Sequence, residues 1–211
     1  MPLMNSFPNG GVFLCLNGPS FDLEQRAMLA KAQHEQGITT FGVNNGEQSF
    51  RRTLWACVDD PPRESRFLYG YERNEHFRAA QWLTEGTINW GNHKCRGGGR
   101  SVMLAALKIS ILLGFRRIYL VGCDFFMDKD HQYFFEQERT PQAIKNNMTS
   151  YGILENLFME LTEPLADAGI GVWNCTRGSR LKVFPEWDLE AAVRVESLAT
   201  GEGTGGIYEA A

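Results

Sequence analysis

The residues able to do chemistry fall at a few points along the chain. Gly97-Gly98-Gly99 is flanked by Arg96 and Arg100 and followed by Ser101. Glycines allow the backbone to approach a ligand closely, and a helix opening after them would present unpaired N–H groups and a positive dipole end to an anion. The spacing is neither GxxxxGK[ST] nor GxGxxG after a strand, so ordinary ATPase and dinucleotide readings lose their main support. A flexible glycine hinge is the plainer alternative. His131 lies two residues before Tyr133, in a stretch that also holds Asp124, Asp128 and Asp130. A histidine so placed is a candidate general base, or simply a solvated loop residue. The adjacent acids Asp59-Asp60 are candidates to hold Mg²⁺ or Mn²⁺, although neighbouring side chains on a strand point opposite ways.

These groups need elements to position them. Gly11–Asn17 (GVFLCLN) is a short apolar run, the pattern of a buried strand, and it ends in Gly18-Pro19-Ser20. Asp22 is placed to cap a helix running to about Gln36, with Gln25 three residues on and Gly37 at the C-cap. Ile38–Val43 reads as a second strand ending in Asn44-Asn45, and Trp55–Val58 as a third ending in Asp59-Asp60. Residues 61–95 are polar, aromatic and Arg-rich, with one strand expected near Arg66–Tyr71. Ser101 is placed to cap the apolar helix Val102–Leu113, which Gly114 ends. Ile118–Gly122 is a fourth strand, ending at Cys123-Asp124. A loop over Phe125–Arg139, a helix over about Gln142–Leu161, a strand over Gly169–Cys175 and a helix over about Asp188–Leu198 complete the pattern. Strands alternating with helices predict an α/β fold: a single Rossmann-like domain over 1–198, mainly parallel, with helices on both faces and a Gly-rich flexible tail over 199–211. In such a sheet ligands gather beyond the carboxyl ends of the strands. The polar ends at Asn17, Asn44, Asp59-Asp60, Asp124 and Asn174 with Thr176–Ser179 are therefore expected to share one crevice.

Composition bounds the class. The chain has 211 residues, 43% hydrophobic and 12% aromatic, enough for one sizeable core and too apolar for a wholly disordered chain. No run approaches the roughly 18–20 apolar residues of a membrane span. The first residues carry no basic segment and no long apolar one, so no signal peptide is expected. The 5 cysteines are odd in number and lack CxxC spacing, which argues against a disulfide framework and for a reducing, cytoplasmic setting. The net charge of −4 hides an asymmetry, because twelve Lys/Arg face six Asp/Glu between Gln48 and Arg117. A basic middle on an acidic chain suggests a local anion site rather than a whole-protein nucleic-acid coat.

Leu14–Ser20 with its NGPS loop, the FGVNN strand end Phe41–Asn45, and SVMLAALKISILLGFRRIYLVGCDFF over Ser101–Phe126 resemble the family-42 sialyltransferases and the wider DUF115, or MptE-like, group found in phage and bacterial surface-glycan loci. Val172–Pro185 supports the likeness, which spans about residues 11–184. The resemblance implies a nucleotide-sugar donor bound across the strand ends. Asn17 and Gly18 would face the nucleotide phosphate and ribose, with Ser20 in the same loop. Asn44, beside Asn45, would match a second nucleotide-contacting Asn, and Asp60 would stand where the family has a third. Ser101 would match a Thr opening the buried helix. Tyr133 would match a Tyr on the leaving phosphate. Two departures stand out: the family's other phosphate-binding Tyr is Phe126 here, and its catalytic His before the long helix has no counterpart, the chain reading Asn146-Asn147-Met148-Thr149-Ser150.

The sequence thus predicts a glycosyltransferase that uses a CMP-sugar-like or NDP-sugar donor and transfers by direct displacement to a hydroxyl. Arg96, Gly99, Arg100, Ser101 and Tyr133 would stabilise the departing phosphate, and His131 or Asp124 would take the acceptor proton. The implied partners are the nucleotide sugar and a glycan or modified-DNA acceptor, with a homo-oligomer as a further candidate. Three rival classes are an ATP- and Mg²⁺-dependent pyrophosphokinase-like enzyme, a phage glycosyltransferase acting on DNA, and a non-catalytic nucleotide-binding module.

Overall fold

A computed structural model describes residues 5–44, 46, 50, 52–56 and 101–203. Asn45, Asp59, Asp60, Arg96, Gly99 and Arg100, and the strand expected near Arg66–Tyr71, lie outside the described residues. Five strands, β1 (Gly11–Cys15), β2 (Thr39–Val43), β3 (Leu54–Ala56), β4 (Arg117–Val121) and β5 (Gly171–Asn174), form one sheet in the order β3-β2-β1-β4-β5. Every pairing is parallel. Among the described residues four helices accompany them: α1 (Leu23–Gln36), α2 (Val102–Leu113), α3 (Pro141–Asp167) and α4 (Leu189–Gly203). The chain is an α/β protein with a Rossmann-like parallel sheet.

The strands are short and apolar on both faces because both faces are covered. Along β1, Val12 and Leu14 enter one core with Met103, Leu104 and Leu107 of α2 and Leu154, Phe158, Leu161 and Leu165 of α3. The alternating Phe13 and Cys15 enter a second core with Leu29 and Ala32 of α1 and Leu189, Ala192 and Val193 of α4. The chain moves outward from β1 to β2 on one side and from β4 to β5 on the other. Right-handed crossovers in opposite directions put α1 and α3 on opposite faces. The buried residues of α3 recur at steps of four, three and four, one stripe of an amphipathic helix.

The expected caps are present. Asp22 accepts the N–H of Gln25 at 2.8 Å, and Ser101 accepts that of Met103 at 3.2 Å. Gly37 and Gly114 take the left-handed C-cap conformation. β1 and β5 are shorter than expected by one to two residues at an end, and two helix ends move further. α3 runs six residues beyond Leu161 and carries Pro164 within it, because the apolar stripe continues through Leu165 and holds the helix on the sheet past the proline. α4 runs to Gly203, so residues 199–203 are helix rather than tail. A nucleated helix propagates past its last buried anchor, here Glu196, at little cost per residue.

Glu196 fastens α4 to the amino ends of the strands. Its carboxylate receives Arg117 Nε at 2.6 Å, Arg117 Nη2 at 2.9 Å and the Tyr119 hydroxyl at 2.8 Å. Only a glycine at 11 leaves room, since a Cβ there would lie 2.1 Å from the carboxylate. Cys15, Cys123 and Cys175 are buried free thiols. Among the described residues no helix is long and apolar enough to cross a membrane.

Candidate functional site

The sheet order reverses at β1, so the loops leaving the carboxyl ends of β1 and β4 diverge and open a crevice, the usual ligand position in open parallel sheets. A cavity of about 760 Å³ lies there. It is bounded by Asn17 and Gly18 after β1, Asn44 after β2, Ser101–Met103 at the start of α2, Gly122–Phe126 after β4, the loop ahead of α3, and the first turns of α3. Among the described lining residues Arg139 is the one permanent cation and Asp124 the one carboxylate. Six side-chain amides, from Asn17, Asn44, Gln132, Gln137, Asn146 and Asn147, supply most of the remaining polarity. Amides both donate and accept, which suits the edges of a base or the hydroxyls of a sugar.

Asn17 is fixed through its amide nitrogen. Its Nδ2 donates to the Val43 carbonyl at 3.3 Å. Its Oδ1 is buried and has no hydrogen-bond partner among the described residues. Gly46 passes so close that a Cβ there would sit 2.1 Å from this oxygen.

Asp124 is held by Ser20, whose N–H donates to Oδ1 at 3.2 Å and whose hydroxyl donates to Oδ2 at 2.7 Å. Burial pushes this carboxyl above its ordinary range, against the lowering effect of Ser20. The turn that presents it depends on two glycines. Gly18 donates its N–H to the Gly122 carbonyl at 2.9 Å, and a Cβ at 18 would lie 1.8 Å from Asp124 Oδ2. Gly122 adopts φ 66, where an L side chain is strained, and a Cβ there would meet Leu16 O and Phe21 Cβ at 2.9 Å. Three residues beyond, Phe125 takes φ 56, an uncommon conformation for a bulky residue. Its ring stacks on Tyr151 at 4.8 Å between centroids.

The loop before α3 packs on the end of β1, with the Phe134 N–H donating to the Asn17 carbonyl at 3.2 Å. Tyr133 stacks in parallel on Phe135, with centroids 5.2 Å apart and planes within 4°. The Tyr133 hydroxyl accepts Arg139 Nε at 3.3 Å, and the guanidinium carbon lies 5.3 Å from the same ring. The Arg139 backbone N–H donates to Gln132 Oε1 at 2.7 Å. These contacts fix the base of the arginine.

The structure brings Asn17, Gly18, Asn44, Ser101, Asp124 and Tyr133 to one cavity. It assigns other work to three of the expected groups. Ser20 does not line the cavity; both its donors hold Asp124. His131 also lies outside the lining, with its side chain 62% exposed. Its N–H and Nδ1 turn back to Asp128 Oδ1 at 2.7 and 3.0 Å. At the polar end of β5, Asn174, Thr176 and Ser179 face the protein interior, while Arg177 and Gly178 are exposed. Thr176 Oγ1 accepts the Cys123 N–H at 2.8 Å, the Ser179 hydroxyl donates to the Cys123 carbonyl, and Asn174 Nδ2 donates to Leu181 O at 3.2 Å. The loop after β4 has left the sheet ladder, and its buried backbone groups need these partners.

The sequence reading missed Arg139, the amides Gln132 and Gln137, and the face of α3 formed by Asn146, Asn147, Ser150 and Tyr151. The signal for the last was present. Positions 146, 147 and 150 share one helix face with Tyr151 and Leu154, so polar residues extend the apolar stripe toward the helix start. For Arg139 the sequence offers only its place beside the cap Thr140 of α3. Among the described residues no three His, Cys, Asp or Glu side chains gather as metal ligands would. Set beside known protein families, curated proteins and solved structures, the chain matches none.

Proposed function

We propose that this protein is a glycosyltransferase whose cavity takes a nucleotide-activated sugar and transfers the sugar to a hydroxyl. The observation that carries the reading is the pairing of an amide-rich cavity at the strand-order reversal with one half-buried carboxylate among its described lining residues. Asn17, at the strand end lining the cavity, would contact the ribose or base, and the opening turn of α2, capped by Ser101, would face the donor phosphate. Asp124 is the base. Burial makes it a better proton acceptor than an exposed carboxylate, and Ser20 fixes its orientation. In the displacement the acceptor oxygen bonds to the anomeric carbon while its proton passes to Asp124. The bond from that carbon to the donor phosphate oxygen breaks, and its electron pair leaves with the nucleotide.

Calorimetric titration with CMP, UDP and GDP tests the binding half. One of the three is expected to bind with a Kd in the micromolar to millimolar range common for such donors, and Asn17→Ala to weaken it about tenfold at unchanged melting temperature. Failure of all three nucleotides to bind removes the proposal.

A further inference from the structure

We propose that Arg139 is the catalytic cation of this site, binding the phosphate oxygens of the donor and taking up the charge that develops as the nucleotide departs. The inference rests on the transferase reading and assigns a residue to its leaving-group step. Three observations carry it. Arg139 is the only permanent positive charge among the described lining residues. Its anchoring uses the backbone N–H, on Gln132, and Nε, on Tyr133, while Nη1 and Nη2 hold no partner among the described residues. A guanidinium held at Nε with both terminal nitrogens open is a preorganised fork for an oxyanion. Finally, Tyr133 lines the same cavity. Its hydroxyl accepts Arg139 Nε and keeps its own O–H to donate. Tyr133 is thus a positioning residue for the arginine, and the two present three or more donors to one group of oxygens.

In the reaction the C–O bond to the phosphate breaks heterolytically. The oxygen that receives the electron pair becomes part of a phosphate with one more negative charge, which the guanidinium meets at the moment it forms. No proton is required from Arg139, which stays charged throughout.

The test compares each nucleoside with its phosphorylated form (cytidine and CMP, uridine and UDP, guanosine and GDP) on the full chain by calorimetry. For the base that binds, the phosphorylated form should bind wild type ~10- to 100-fold more tightly than the nucleoside. In Arg139→Gln that gap should close to within about threefold while nucleoside affinity holds. In Arg139→Lys, which keeps charge but loses the fork, part of the gap should remain. Tyr133→Phe should narrow the gap ~3- to 10-fold, also at constant nucleoside affinity, and serves as the second probe should Arg139→Gln melt early. A gap that survives Arg139→Gln overturns the assignment and leaves the transferase reading standing; it is also the result expected if the arginine instead meets an oxyanion carried by the sugar. Wild type that binds nucleoside and nucleotide equally overturns it as well. Binding of neither overturns both.

Discussion

Replacing Asp124 with Asn should separate function from stability in opposite directions. The two side chains are isosteric. Asn Oδ1 can still accept the Ser20 N–H now at 3.2 Å, and Asn Nδ2 can donate to the Ser20 oxygen now 2.7 Å from Oδ2. The contacts survive and only the charge goes. Burial already works against that charge more strongly than Ser20 favours it, since the carboxyl is pushed upward from its ordinary value of 3.8. An acid whose folded value is raised binds its proton more tightly in the native state. Its favourable contribution is complete below about 3.8 and is lost as pH rises through the folded value, so at pH 7 the ionised wild type carries a penalty that Asn lacks. The carboxylate keeps partial solvent contact, which discounts the penalty to about 0.5–1 kcal/mol. For a chain of this size that is a rise in Tm of roughly 1–4 °C. Turnover should fall ~10²- to 10⁴-fold, the range for loss of a general base. The assay is thermal denaturation of both proteins from pH 3 to 8 beside donor consumption with acceptor. The stability difference should shrink toward zero as the acid range is entered. The reasoning is refuted if Asp124→Asn is more than about 1 kcal/mol less stable at pH 7, or if it turns over within tenfold of wild type.

Glu196→Ala should cost about 3–5 kcal/mol, because it leaves Arg117 and Tyr119 without their buried anion; nucleotide affinity of the folded protein should not change, and a melting temperature within 3 °C of wild type would show the network to be incidental. The same network raises the Tyr119 phenol, by burial first and then by its bond to Glu196. The stability it contributes should be present below pH 10 and decline as pH rises above it, which denaturant titrations at pH 8 and 11 would read out. His131→Ala should alter turnover less than about threefold, as its exposed ring faces Asp128 rather than the cavity; a hundredfold loss would move the base from Asp124 to His131.

Periodicity and capping alone determine the α/β class, the five described strands and the starts of the helices. Runs such as GVFLC and RIYLV can be buried on both faces only inside a covered parallel sheet, and Asp22 and Ser101 have few local uses other than capping. The sequence also places polar groups at the strand ends, and Asn17, Asn44 and Asp124 do meet there. It does not separate lining residues from structural ones. Ser20 and Thr176 look like ligand-binding loop residues in one dimension, yet each satisfies a partner in the loop after β4, over fifty positions away in the chain. Arg139 has no local signature at all. It becomes the charge of the cavity only because the loop before α3 folds over the end of β1 and stands Tyr133 beneath its Nε. Local patterns record what each segment needs from its immediate neighbours. Which titratable groups share a low-dielectric space depends on strand order and loop docking, and those are decided by the packing of the whole chain.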